Sequence, residues 1–284
     1  VSKSFGNEVF LDMTAQSTTP IPDPQSSNDT RGIHLDRVGI NRVHYPVLIA
    51  GWNADVHIEE VKDTKLSLTV SLGSNKRGIH MSRLLEAVHQ WDQALSPQTL
   101  PDFLNKIREQ QGAEVASVDC DFIWFYARSS PKTAKPAWQG IQTIWHGEQT
   151  EKYTTVGYTL NIPVTTLCPC SKEISDYGAH SQRGWVKVKL QWQNLENLIA
   201  PQEIFEKLQH AGSAPIYPLL KRADERHVTM LAYEQPAFVE DTTRNAAQCL
   251  QSDIRIESFQ LDICNEESIH THNAIASLSF TRNL

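Results

Sequence analysis

Tyr158-Thr-Leu-Asn-Ile-Pro-Val164 alternates in character and runs into Thr165-Thr-Leu-Cys168-Pro-Cys170-Ser-Lys-Glu-Ile-Ser175. After Tyr177-Gly-Ala-His180-Ser-Gln-Arg183 the alternation returns in Trp185-Val-Lys-Val-Lys-Leu190. A period of two reads as two strands. A thiol pair therefore stands where one strand ends, and a histidine stands just before the next begins. Pro169 has no N–H and fixes the backbone between the thiols, which suits a turn rather than a ladder. Thiolate and imidazole delivered together are what a transition metal takes. Taken alone, a Cys-x-Cys pair is equally two small side chains buried at a strand end. Cys120, Cys249 and Cys264 stand singly, so a four-cysteine structural zinc site is not expected. A metal here would need ligands other than sulfur, as open, reactive sites do.

Outward from this stretch, the pattern organises the chain into two halves. In the first, Val43 to Ile49 and Leu66-Ser-Leu-Thr-Val-Ser-Leu72 read as strands. Apolar residues at helical spacing predict a helix from His80 to Leu95, and Pro101 and Gly112 bracket a second from Pro101 to Gln111. Strands follow over about 114–128 and 138–148. In the second half, strands over about 153–164 and 185–192 precede a helix at 201–210. Then come short helical or irregular pieces over 214–232, a helix at 238–251 and strands at 254–263 and 273–280. Each half reads strand, strand, helix, helix, strand, strand. The expected fold class is α+β: two tandem ββααββ units, about 37–150 and 151–284, with an antiparallel sheet and helices on one face. Such a sheet leaves edge strands, and the common remedy is a barrel closed by partner subunits. Residues 1–36 are rich in Ser, Thr, Pro, Asp and Asn and predict a flexible arm. Met13 is a candidate natural start.

Composition narrows the function classes. The 284 residues carry a formal net charge of −7, with a pI of about 5.9. That argues against a nucleic-acid or anionic-membrane partner, while a local basic pocket could still hold phosphates. No apolar run is long enough to span a bilayer, and no basic region followed by an apolar core opens the chain. Five cysteines in a chain this long make no disulfide framework, so reduced thiols in the cytoplasm are expected.

Four further stretches stand out. Lys221-Arg222-Ala-Asp224-Glu225-Arg226-His227 is dense in charge, as a solvated helix surface also is. Glu240 and Asp241 open an apolar helix, where acids complement the helix dipole. Glu266-Glu267-Ser-Ile-His270-Thr-His272 lies between the last two strands. Its histidines alternate like residues on one strand face, an arrangement suited to metal ligation or proton transfer, or else form a polar turn. His80-Met81-Ser82-Arg83 opens a helix, where N–H groups could hold phosphate.

Together these stretches resemble GTP cyclohydrolase type IB, of the tunnelling-fold superfamily. The similarity lies in Thr166–Ser175, Tyr177–Arg183, Leu219–Glu225, Ala232–Asp241 and Glu267–His272, with His80–Arg83 also fitting, and it covers about Arg37 to the C-terminus. The resemblance implies a divalent metal, zinc or manganese, held by Cys168, His180 and Glu225, with a position left for water or His270. It implies that Glu240 anchors guanine, and that Glu267, His270 and His272 lie near the reacting carbon and move protons. Candidates to neutralise the triphosphate are Arg83, Lys172, Arg183, Lys221 and Arg222, partly from a neighbouring subunit.

The implied reaction is hydrolytic opening of the GTP imidazole ring, loss of C8 as formate and reclosure to 7,8-dihydroneopterin triphosphate. The implied assembly is a homotetramer with sites at subunit interfaces. Within the same superfamily, a thiol nucleophile attacking a nitrile with NADPH as reductant is the alternative enzyme. A purine- or pterin-binding protein without turnover, or a zinc-stabilised scaffold, is the alternative outside catalysis.

Overall fold

The computed structural model describes residues 22–52 and 59–282. Met13 and most of the expected arm, residues 1–21, lie outside the described residues. Residues 22–34, also read as arm, lie against the chain at 75–80. Asp29 N–H donates to Asn75 O, Arg77 N–H donates to Ser27 O, and Asp23 faces His80 at 3.4 Å.

Among the described residues the order is β1 (Leu35–Ile49), β2 (Glu60–Leu72), α1 (Met81–His89), α2 (Leu100–Gln111), β3 (Ala116–Ser129) and β4 (Pro136–Gln149). The chain continues with β5 (Thr154–Leu167), α3 (Pro169–Ile174), β6 (Ser181–Trp192), α4 (Pro201–Leu208), β7 (Ala214–Pro215), α5 (Arg222–Glu234), α6 (Val239–Gln251), β8 (Ser258–Asn265) and β9 (Ala274–Thr281). The strands form one antiparallel sheet in the order β1-β2-β3-β4-β5-β6-β8-β9, and β7 pairs with β5. The long helices are inserted between β2 and β3 in the first half and between β6 and β8 in the second, and the strands of each of these pairs still pair; the short α3 lies between β5 and β6. The halves join through a tight turn in which Thr150 N–H donates to Tyr153 O.

Alternation decides which face meets the helices. Leu66, Val118, Trp145, Tyr158, Leu190 and Leu261 point to one side and share a core with Leu84 and Leu104 of the first half and Phe205 and Leu250 of the second. Fully burying a side chain of this size stabilises by about 1.5–3 kcal/mol. Trp52, Trp145 and Tyr158 meet edge to face in that core, with centroids 5.1 and 4.8 Å apart. The other side is mixed: Asp119 and Thr159 flank His146, each 2.7 Å from one of its ring nitrogens, while Ile123, Phe125 and Trp138 are exposed on the same face.

β1 and β2 begin earlier than expected, at Leu35 rather than Val43 and at Glu60 rather than Leu66, so Leu35 and Asp36 belong to the sheet and not to the arm, and two further elements differ. The helix predicted to reach Leu95 stops at His89, because Leu95 leaves the helical path and pairs with the end of β1. Its N–H donates to Leu48 O and its carbonyl accepts from Ala50. The 214–232 stretch, expected to be short helical or irregular pieces, holds most of the 13-residue α5, which runs on to Glu234, so the second half carries more helix than two segments. Where β4 diverges from β5 beyond the Gln142–Asn161 pair, β7 takes its place at Val164 and Thr165. That divergence carries the turn at 130–135 over towards α5.

Candidate active site

The end of β5 and the start of β6 build one corner. Cys168 caps α3, its sulfur accepting from Ser171 N–H at 3.4 Å, and Pro169 fills the first helical position, where no donor is needed. Cys168 N–H donates to His180 O at 3.1 Å, and His180 N–H donates to Ser171 Oγ at 3.3 Å. Thiol and imidazole are thus brought to one place by main-chain bonds. Gln182 follows His180 by two residues on a strand, so both side chains leave the same face. Its amide nitrogen donates to Thr166 Oγ1 at 3.0 Å, which turns its carbonyl oxygen to His180 Nδ1 at 2.9 Å. Nδ1 then carries the proton and Nε2 keeps the lone pair, the tautomer a metal ligand needs.

Three other segments close on this corner. Ala237 N–H donates to Leu167 O at 3.1 Å and ties the α5–α6 junction to the end of β5, three residues before Glu240. The two acids there divide their work. Asp241 accepts from Phe238 N–H at 3.1 Å and so caps α6, whereas Glu240 beside it is exposed. On the other flank, Glu266 N–H donates to Arg183 O at 2.8 Å, and Ser268 Oγ stands 3.4 Å from His180 Nδ1. His270 and His272 follow in a loop, not on the strand face their spacing suggested; β9 begins only at Ala274. Their rings still stack, with centroids 5.1 Å apart and an interplanar angle of 15°. Glu267 is half-buried in the same loop.

The other expected residues are more dispersed. Among the described residues no three His, Cys, Asp or Glu side chains gather into a group that could hold a metal ion. Cys168 and His180 supply a soft and a borderline donor that suit a divalent cation, but Glu225 does not stand with them. It rides exposed in the first turns of α5, because the neighbouring Asp224 takes the buried side of the helix. Lys221 and Arg222 are exposed at the same helix start, and Arg183 is exposed on β6. Lys172 is engaged: its ammonium donates to Tyr233 O at 2.6 Å and lies 4.3 Å from the centre of the Tyr233 ring. Arg83 sits in the first turn of α1, where Gln111 at the end of α2 donates to His80 O. This is the end of the sheet at which β4 meets β5, opposite Cys168.

Sequence reasoning missed the groups that hold the ligands. Gln182 and Thr166 orient His180, and Asp224 fixes α5. The i, i+2 spacing of His180 and Gln182 was the available signal for the first.

Asp224 is fully buried yet stays ionised. Burial alone would raise its pKa, but the Thr133 hydroxyl and the backbone N–H groups of Lys221, Thr133 and Lys132 hold it well below the usual carboxylate range.

Residues 21–276 match the family model described as type I GTP cyclohydrolase folE2. The chain is 35% identical over 257 residues to GTP cyclohydrolase FolE2 of Magnetococcus marinus, covering 90% of this chain and 95% of the relative. It is 35% identical over 258 residues to GTP cyclohydrolase FolE2 of Pseudothermotoga lettingae, covering 89% and 96%. Among solved structures, uricase from Arthrobacter globiformis is similar in fold, with a TM-score of 0.51 at 6% identity, over 87% of this chain and 93% of that one.

Proposed function

The chain belongs to the type I GTP cyclohydrolase FolE2 family, and from that premise we propose that it hydrolyses GTP to formate and 7,8-dihydroneopterin triphosphate at the Cys168–His180 corner. The observation that carries this is the His180 ring, held by Gln182 with its Nε2 lone pair free, on a backbone already paired with Cys168. The stretch from Thr166 to Arg183, which resembles type IB, supports this reading.

Cys168 and His180 would supply two ligands to a divalent cation, zinc or manganese; Glu225, which stands apart from them here, and His270 are the further ligands that the resemblance implies. When bound, such an ion supplies hydroxide at neutral pH by lowering the pKa of water towards ~7. The chain's own residues do the rest. Glu240 at the start of α6 accepts from guanine N1–H and the exocyclic amine together, a planar two-bond match that orients the ring. His270 and His272, stacked and open to solvent, give and take the protons that ring opening requires, with Glu267 beside them. Arg183, Lys221, Arg222 and Lys172 draw the triphosphate towards α5.

The assembly follows from two features. β1 and β9 end the sheet with one side unpaired among the described strands, and such edges are blunted by partners. Ile174, Tyr177, Met230, Tyr233 and Ile269 rim the corner with exposed apolar surface. A second copy meeting the corner would cover that surface and bring Arg83 from the far end of its own sheet. We take the assembly to be a homotetramer of tandem ββααββ tunnelling folds, closed as a barrel and working in the cytoplasm.

Incubating manganese-loaded protein with GTP tests the activity. Formate should appear together with a pterin that fluoresces after oxidation. Chelator and Cys168→Ala should each abolish both while the circular dichroism stays native. Full turnover by Cys168→Ala, or no formate from the loaded wild type, would overturn the assignment. NADPH consumption with a nitrile substrate would favour the thiol-nucleophile reaction instead.

A further inference from the structure

Between α5 and α6 the chain is pinned to the end of β5. Ala237 N–H donates to Leu167 O at 3.1 Å, and Phe238 and Cys168 are the residues that follow this bond on its two sides. Three hydrogen bonds then fix the Phe238 backbone: its N–H donates to Asp241 Oδ2 at 3.1 Å, and its carbonyl accepts from the Thr242 N–H at 3.0 Å and the Thr242 hydroxyl at 3.1 Å. Val239, Thr242 and Ala246 take the buried side of α6. Phe238 and Glu240, on either side of Val239, are both exposed.

The Phe238 side chain keeps 40% of its surface in water, which forfeits part of what burying an aromatic ring returns. Among the described residues neither another ring nor a cation packs on it. Two other exposed rings stand near the corner. Tyr233 already holds the Lys172 ammonium 4.3 Å from its centre, and Tyr177 lies fully exposed in the bend after α3. Phe238 alone of the three joins a fixed backbone to an open ring, and it stands two residues before Glu240.

That neighbour gives the ring a use. A carboxylate accepting from guanine N1–H and the exocyclic amine fixes one edge of the base, yet the base can still tilt about that edge. A contact on its face removes the tilt, and an aromatic side chain supplies one without regard to which groups the edge carries. We propose that Phe238 is the stacking platform for guanine, with the face of the base on its ring and the N1–C2 edge on Glu240. This rests on Glu240 being the guanine anchor proposed above, and on no cation.

The experiment is equilibrium binding of GTP, and of ITP, which lacks the exocyclic amine, to the full-length protein, with elution volume and urea midpoint recorded alongside. Phe238→Ala should weaken both nucleotides by about 10-fold or more and by the same factor, because stacking is indifferent to the edge of the base. Phe238→Trp should restore binding, and the fluorescence it adds should be quenched at saturating GTP. Glu240→Gln should weaken GTP more than ITP. The tryptophan variant carries the test if Phe238→Ala does not fold. Wild-type affinity in Phe238→Ala, with GTP binding weakened in Glu240→Gln, would overturn the platform alone. So would unquenched fluorescence in Phe238→Trp, or weakened binding in Phe238→Ala with a shifted elution volume, which would make the ring a contact between copies. Unchanged GTP affinity in Glu240→Gln would remove the guanine assignment and this inference with it.

Discussion

Gln182 does nothing to a substrate, yet the tautomer of His180 depends on it. Its amide is fixed at one end by Thr166 and meets Nδ1 with the other. Replacing it by leucine keeps the side chain's bulk and removes the acceptor, so the ring loses both orientation and tautomeric bias. Gln182→Leu should lower Mn2+ affinity about 10- to 100-fold, and Gln182→Glu, which keeps the acceptor, should stay nearer the wild type. Competition for Mn2+ with a chelating dye measures both. At this scale the sequence was legible where residue type itself carries chemistry. Cys168, His180 and Glu240 announced themselves as a thiol, an imidazole and an acid at a helix start. Gln182 and Asp224 did not, because their roles lie in what they face, and their partners are up to 92 positions away.

Elements were legible in proportion to the apolar surface they bury. β2 buries every second side chain along much of its length, and its alternation gave it away. α5 fully buries only Asp224 and Ala232, with Val228 and Leu231 half-buried between them, so its apolar stripe is short and masked in the sequence by the charges around it. His270 and His272 share a spacing with strand residues, but they fall in the loop just ahead of β9. Strand pairing brings a second kind of constraint. A Cβ added at Gly157 would lie 2.2 Å from Leu190 O on the adjacent strand, and a backbone atom cannot swing away as a side chain can. Gly157→Ala should therefore force β5 and β6 apart and cost roughly 1–3 kcal/mol. A lower urea midpoint at unchanged m-value would record it.

For the molecule as a whole, charge groups tie distant segments and set the response to acid. Arg255 first, together with Lys207, holds Asp253 well below the carboxylate range. Burial would raise Asp119, but hydrogen bonding to His146 and the charges of His146, Arg37 and Lys189 lower it. Such groups bind protons more readily in the unfolded chain. Their stabilisation is complete above their unfolded pKa and is lost as pH falls through the folded one. His210 acts earlier. Burial, and then the charge of Arg128, depress it below its ordinary 6.5, so the unfolded chain takes up that proton first as pH falls. The urea midpoint should be level between about pH 7 and 8, begin to slip below about 6.5 and fall steeply below about 4. In His210→Gln the first, shallow slope should vanish and the acid limb remain. A first slope unchanged in that variant would show that another group sets it.

The turn from Thr150 to Tyr153 has a practical consequence. Glu151 and Lys152 are exposed there, and the turn's own bonds run through the Thr150 hydroxyl and the Thr150, Lys152 and Tyr153 backbones. β5 then rises by about 3.3 Å per residue towards Cys168, so roughly 40 Å of ladder separates the two. A dye or affinity handle grafted between Glu151 and Lys152 would sit at the pole remote from the same chain's Cys168. It would mark the junction of the two halves.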